Sequence, residues 1–161
     1  MLAASTDSGS ALTREAILDE VHRIGLAQLG GTLATMHAED GTPYVTFVLF
    51  HLRRTGELLF ASGRAPQHSR NMQATPEISF LIDNREVIRE DWAAFDRVII
   101  EGRAELVPAD DERHGEFLRE IEAKNQIAAY FTEQGQMYVI NPRRIILMKG
   151  FEPTRHVVNF S

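Results

Sequence analysis

The segment from residue 57 to residue 83 constrains the fold of this chain more than any other. It predicts an apolar strand at 58–60, a polar loop over residues 62–71 and a second strand at 78–82. Loops held between buried strands concentrate binding groups, and free backbone N–H groups at a helix start favour an anion. Because a helical turn is predicted at 72–74, directly after the loop, we interpret the loop as a phosphate-binding segment. The alternative is a solvated loop whose Ser and Asn side chains cap that turn.

The elements on either side of this segment predict antiparallel strands with helices inserted at the edges. Apolar residues recur at helical spacing from Ile17 to Ile24, after Thr13 as a helix N-cap, and another helix is predicted to begin near Asp110. This order of elements indicates the α+β class and a β-barrel. The further strands are predicted, in chain order, at 32–38, 44–51, 98–106, 136–140 and 145–149.

Four details of these strands carry specific expectations. Residues 39–43 contain Asp-Gly and predict a tight hairpin turn. Residues 44–51 are apolar on both faces, which predicts a strand covered from both sides. Gly102 interrupts an alternating strand and predicts a bulge or a close backbone approach. Asn141-Pro142 is predicted to separate the last two strands.

The composition limits the broad class of protein. A chain of 161 residues suits one domain, which we predict to span residues 11–161 after a disordered tail at residues 1–10. The absence of cysteine excludes disulfides and thiolate chemistry. A net charge of -6 disfavours nucleic acid as a partner. Because no apolar run approaches the ~20 residues of a membrane span and no secretory signal is recognisable, we expect a cytoplasmic protein without membrane contacts.

Common catalytic and metal-binding motifs are missing from the sequence. None of the six histidines lies at a spacing typical of a metal site, so we expect no metal. The Gly-x-Ser-x-Gly elbow and the Gly-x-Gly-x-x-Gly fingerprint are both absent. The glycines at residues 25–31 fail as a P-loop because Gly31 stands where lysine is required. No acid or base stands out, so the catalytic residues stay unassigned.

The polar loop supplies the remaining candidates for binding. Arg70 carries a planar guanidinium that suits phosphate oxygens, and His68 adds a proton-bearing donor. Ser62 and Ser69 add hydroxyl groups. On a neighbouring strand, Thr46 offers a hydroxyl to a flat heterocycle, although β-propensity alone also accounts for a threonine there.

Six short blocks of the sequence are informative through their order and spacing. They are Gly31–Thr35, Asp40–Val45, Leu58–Ser62, His68–Met72, Thr75–Ser79 and Ile100–Ala104. Taken together, they resemble the FMN-binding split-barrel superfamily, which includes pyridoxamine 5'-phosphate oxidase, over nearly the whole ordered chain.

The resemblance implies a fold, an assembly and a set of cofactor contacts. The fold is a six-stranded antiparallel split β-barrel with flanking helices, and the assembly is a homodimer with two flavin sites at the subunit interface. The implied activity is that of an FMN-dependent oxidoreductase acting on a small-molecule redox substrate that the sequence does not identify. The implied cofactor-binding residues are Thr46 and Val48 at the isoalloxazine, Ala61 and Ser62 beside the ribityl-phosphate arm, and His68, Ser69, Arg70 and Asn71 at the phosphate.

The C-terminal tail departs from the pattern of true pyridoxamine phosphate oxidases. Those enzymes end in a tryptophan-containing Arg-x-His segment, whereas Arg155 and His156 are adjacent here and no tryptophan lies near them. Two alternatives therefore stay open beside the FMN enzyme. One is a haem-binding or haem-degrading protein with His156 as the candidate iron ligand, and the other is a non-catalytic protein that binds flavin or deazaflavin. The single tryptophan, Trp92, is expected to pack at the dimer seam.

Overall fold

Eight antiparallel strands and three α-helices form the described part of the chain, an α+β arrangement. The computed structural model describes residues 11–63, 66–127, 130 and 135–161. The tail at residues 1–10, expected to be disordered, lies outside the described residues. Within the described ranges, no helix is both long enough and apolar enough to cross a lipid bilayer.

The three helices lie at the start, the middle and the second half of the chain. They are α1 (Arg14–Ala27), α2 (Gln67–Ala74) and α3 (His114–Lys124). The strands are β1 (Gly30–Met36), β2 (Pro43–Leu49), β3 (His51–Leu52), β4 (Leu58–Ser62), β5 (Glu77–Asp83), β6 (Asp96–Val107), β7 (Gln136–Lys149) and β8 (Arg155–Asn159). Two short 3₁₀ helices, at Arg85–Arg89 and Trp92–Ala94, connect β5 to β6.

The strands form one curled sheet in the order β2-β1-β5-β6-β7-β4-β3, with β8 also paired to β7. The long strand β7 causes the curl, because it pairs with β6 along one edge and with both β4 and β8 along the other. The two arms of the sheet meet where β2 contacts β4, but no pairing between these two strands occurs in the described residues. The result is a half-barrel that is open between β2 and β4.

The prediction of six strands was wrong, because the described residues form eight. The predicted break at Asn141-Pro142 was also wrong, because β7 runs through it and Pro142 lies at a register shift between β6 and β7, where a missing N–H is tolerated. The tail residues 155–159 pair with β7 and form an eighth strand. In addition, the predicted strand at 44–51 is divided, since β2 ends at Leu49 and β3 begins at His51.

The expected helix starts and bulge are largely confirmed. The Thr13 side chain accepts a hydrogen bond from the Ala16 N–H and caps α1. A Cβ at Gly102 would lie 2.4 Å from the Asn141 carbonyl oxygen, and the register shift begins at this glycine. The helix α3 begins at His114 and not near Asp110, because residues 108–111 form a turn closed by the Asp111 N–H and the Pro108 carbonyl.

Two apolar clusters pack on the two faces of the sheet. The larger one lies inside the curl, where Ile17, Val21 and Ile24 of α1 cover the inner residues of the strands. In the smaller one, Phe117 and Ile121 of α3 cover the opposite face of β4 and β7. The helices therefore fix both faces of β4, the strand that leads into the polar segment.

The outer face of the sheet carries a continuous apolar row. Strand register places one residue from each of six neighbouring strands in line. Within one chain this face lacks the cover expected for residues 44–51, because Val45 and Phe47 are 64% and 65% exposed. We call the outer row the residues Phe47, Thr32, Leu81, Ile99, Ile146 and Val157.

Lys124 joins the end of α3 to α1 and to the sheet. Its Nζ donates to the carbonyl oxygens of Gly25 at 2.9 Å and Phe50 at 2.7 Å, and it lies 3.8 Å from the centre of the Phe50 ring. These contacts satisfy a carbonyl at the C-terminal end of α1. Burial of the ammonium lowers the pKa of Lys124 to about 8.

The free energy of unfolding should therefore depend on pH through Lys124. Between pH 8 and 10.5 the unfolded chain holds the lysine proton while the folded chain has lost it, so stability should rise with pH across this window. Urea unfolding of the wild type and of Lys124→Met at several pH values measures this contribution. The difference between the two proteins should change by no more than ~1.4 kcal/mol per pH unit. A difference that is flat from pH 8 to 10.5 would contradict the depressed pKa.

Candidate functional site

The polar segment predicted as a loop over residues 62–71 is a helix over half of its length. Helix α2 begins at Gln67, after Pro66 as the N-cap residue. The Gln67 amide donates to Asn71 Oδ1 at 2.8 Å, one turn further along. This start was missed because Gln67–Asn71 is polar throughout and lacks an apolar period. Residues 64–65 of the predicted loop lie outside the described residues.

Asn71 is an internal anchor of α2. Its side chain is 0% exposed, its Oδ1 accepts from the Ala38 N–H at 2.9 Å, and its Nδ2 donates to Thr35 Oγ1 at 2.9 Å. Both partners lie in or directly after β1, so the amide attaches α2 to that strand. The structure thus gives Asn71, predicted as a cofactor contact, three satisfied hydrogen bonds inside the protein.

Ser62, His68 and Ser69 form a cluster where β4 meets α2. Ser62 Oγ lies 2.8 Å from Ser69 Oγ and 3.1 Å from His68 Nε2, and it donates to the Gly63 carbonyl at 3.1 Å. A hydroxyl carries a single hydrogen. Because Ser62 gives its hydrogen to Gly63, Ser69 Oγ and His68 Nε2 both act as donors towards Ser62. We call Ser62, His68 and Ser69 the donor cluster.

The donor cluster is uncharged at neutral pH. Burial lowers the pKa of His68 below its ordinary value, because the imidazolium loses hydration. The cluster thus contains two hydroxyl groups and a neutral imidazole, and the Ser69 hydroxyl is buried behind Ser62. By side-chain rotation, such groups can exchange their mutual hydrogen bonds for hydrogen bonds to an anionic oxygen while the backbone stays in place.

A cavity of about 290 Å³ lies beside this cluster, where β2 and β4 approach without pairing. Four of the predicted cofactor-binding residues line it, namely Val48, Ala61, Ser62 and His68. Phe47, Leu49 and Gly63 also line it and were not predicted. The apolar character of residues 44–51 on both faces was the sequence signal for Phe47 and Leu49, since it marks a face that one chain leaves uncovered. Thr46 is not among the lining residues.

Arg70 lies apart from the cavity lining. Its guanidinium donates to Gln67 Oε1, and its Nε lies 3.9 Å from a carboxylate oxygen of Glu39 in the β1–β2 turn. The helical rotation of α2 separates Arg70 from His68 and Ser69, although all three are close in sequence. The structure therefore brings together Ser62, His68 and Ser69 and places Arg70 beside an acidic residue.

His156 and Trp92 lie in other regions of the molecule. His156 lines a separate cleft of about 610 Å³ between the start of α1 and β8, together with Lys149 and Arg155. The Trp92 ring stacks on Phe151 with ring centres 5.7 Å apart and planes 17° apart. Among the described residues, no group of three His, Asp or Glu side chains is placed to hold a metal ion.

Comparison with known proteins reveals a family and several similar folds. The family model described as pyridoxamine 5'-phosphate oxidase matches residues 17–152. No curated protein sequence matches the chain significantly.

Solved structures with the same fold include two haem proteins and an FAD-binding protein. A haem-binding protein from Mycobacterium smegmatis has a TM-score of 0.76 at 21% identity, over 92% of this chain and 60% of its own. The haem storage protein from Vibrio cholerae has a TM-score of 0.67 at 18% identity, over 81% of this chain and 92% of its own. An FAD-binding protein from Mesorhizobium loti has a TM-score of 0.63 at 16% identity, over 80% of this chain and 89% of its own.

Removal of the Asn71 amide should destabilise the protein. Asn71→Ala leaves the Ala38 N–H and the Thr35 hydroxyl without their buried partner, which we expect to cost about 2–4 kcal/mol of unfolding free energy. Denaturant unfolding measures the change, with Gln73→Ala, an exposed position of the same helix, as the control. A loss below about 0.5 kcal/mol in Asn71→Ala would show that the anchor is dispensable.

Proposed function

Because the chain belongs to the pyridoxamine 5'-phosphate oxidase family, we propose that it is an FMN-binding oxidoreductase whose flavin phosphate is held by the donor cluster. The observation that carries the proposal is the convergence of Ser62, His68 and Ser69 beside the cavity between β2 and β4. The reducible substrate is a small molecule. FMN supplies hydride transfer when bound, while the protein supplies position and electrostatics.

The donor cluster fits a phosphate group. Phosphate oxygens accept hydrogen bonds, and Ser62 and His68 line the cavity with a hydroxyl group and an imidazole, while Ser69 Oγ lies 2.8 Å from Ser62 Oγ. Val48 and Ala61 provide an apolar wall at the same cavity for the rest of the ligand. Arg70 contacts Glu39 and Gln67, so its contribution to phosphate binding is through its positive electrostatic potential.

We propose that one chain covers only part of an FMN molecule and that a second copy of the chain covers the rest. A cavity of about 290 Å³ lies at the lower end of the volumes typical of ligand sites. The outer row begins at Phe47, which also lines this cavity. A homodimer formed through the outer row buries its exposed apolar side chains and places the cavity at the edge of the interface.

Haem binding, with or without haem degradation, is the second candidate function. It is favoured by His156, whose imidazole lies in the cleft of about 610 Å³ beside Lys149 and Arg155. An imidazole is a common axial ligand of haem iron, and basic side chains suit the propionates. The visible spectrum separates the two candidates, because a flavin and a haem absorb in different bands.

The FMN proposal predicts a specific effect of the Ser62 hydroxyl, which lines the cavity. Ser62→Ala should weaken FMN binding by about 1.5–3 kcal/mol, the range for a lost hydrogen bond to a charged group. Binding of riboflavin, which lacks the phosphate, should stay unchanged. Fluorescence titration of both flavins against the wild type and the variant makes the measurement, with Gln73→Ala as the control on α2.

Three results would contradict the FMN proposal. They are the absence of FMN binding by the wild type, an equal loss of FMN and riboflavin affinity in Ser62→Ala, and a Soret band in the protein as purified. If FMN binds but anaerobic NAD(P)H does not reduce it, the protein is a flavin carrier. Preferential binding of a deazaflavin would assign that cofactor instead.

The proposal also predicts a pH dependence that involves His68. A phosphate beside the imidazole favours its charged form, so the pKa of His68 should rise when FMN binds. Ligand binding then takes up a proton, and FMN affinity should increase as the pH falls from 7.5 to 6. The ratio of wild-type affinity to that of His68→Gln isolates this effect from titration of the ligand itself. A ratio independent of pH would remove His68 from the phosphate site.

A further inference from the structure

Phe47 occupies an unusual position beside the candidate site. It lies on β2, and its side chain is 65% exposed in the chain. Phe47 lines the cavity that contains the donor cluster, and it also lines a second depression of about 440 Å³ on the outer face of the sheet. This aromatic residue therefore lies between the cavity beside the donor cluster and the depression on the outer face.

Gly30 fixes where the Phe47 ring lies. A Cβ added to Gly30 would lie 2.1 Å from the tip of that ring and 2.7 Å from the two adjacent ring atoms. The ring therefore rests on the bare backbone of β1. Gly30 is not among the glycines with a positive φ, so its backbone conformation does not require glycine. The space that the Phe47 ring occupies explains the absence of a side chain at this position.

On this evidence we propose that Phe47 is a positioning residue, the surface on which the flat ring system of the ligand stacks while its phosphate contacts the donor cluster. This inference rests on the proposed function and concerns the flat ring system of the ligand. The chemistry required is an extended π-system joined to a phosphate by a flexible arm. An aromatic face attracts such a ring through offset stacking, which an aliphatic side chain does not reproduce.

A purely structural role for Phe47 in the dimer interface makes a different prediction. Val45 lies two residues away on the same face of β2 and is 64% exposed, but it does not line the cavity. If Phe47 acts only by packing between subunits, substitutions at Val45 and Phe47 should both change the oligomeric state. If Phe47 positions the ligand, only substitutions that affect the ring should change flavin binding.

The test compares four variants of the full chain: Phe47→Leu, Phe47→Trp, Gly30→Ala and Val45→Ala. FMN affinity is measured by titration, and the inhibition constant of ribose 5-phosphate as a competitor reports the phosphate end alone. Light scattering gives the oligomeric state of each variant. Phe47→Leu should weaken FMN binding about five- to tenfold, the range for one aromatic pair. The inhibition constant of ribose 5-phosphate should stay within about twofold, since the donor cluster is intact.

The remaining variants decide between the two roles. Phe47→Trp should retain FMN affinity, Gly30→Ala should reproduce the loss by displacing the ring, and Val45→Ala should leave flavin binding unchanged. The inference is overturned if Phe47→Leu keeps the wild-type FMN affinity, or if Val45→Ala causes the same loss. If the wild type binds FMN, these results overturn the inference about Phe47 and leave the proposed function standing. A wild type that does not bind FMN overturns both.

Discussion

The candidate site depends on the hydrogen bonds of one buried amide, that of Asn71. An isolated helix of eight residues is unstable in water, and α2 carries few apolar side chains with which to pack. The amide compensates by joining the helix to Thr35 and to the backbone at Ala38. Because the bond to Thr35 is buried, its loss leaves a hydroxyl group that solvent cannot readily reach. The rotation of α2 about its axis, and hence the direction of His68 and Ser69, follows from this attachment.

Local patterns predicted much of the fold, and long-range pairing accounts for the errors. The N-cap at Thr13 and the irregularity at Gly102 were predictable because each depends on a few neighbouring residues. The strand count was wrong because the tail pairs with β7, and the predicted break at Pro142 was wrong because β7 only shifts register there against a distant strand. Neither partner can be read from adjacent residues, since any alternating segment offers the same backbone groups.

The candidate site was predicted in part, because the sequence does not give the direction in which each side chain points. The serines and the histidine of the predicted segment do converge in the structure. The sequence did not predict that Arg70 turns towards Glu39, because that depends on where α2 begins. The shared fold does not select a ligand, since the similar structures include haem-binding and FAD-binding proteins.

The contact between Gly30 and Phe47 has a consequence for sequence variation within the family. The two residues lie on paired strands, and a Cβ at position 30 is incompatible with the present ring. Substitution of the glycine therefore requires a smaller or differently oriented residue at position 47, so the two positions should covary. Relatives that retain a glycine followed by an aromatic on the next strand would form one subgroup. Relatives with a residue larger than glycine at position 30 would form another subgroup, with a differently shaped edge to the cavity.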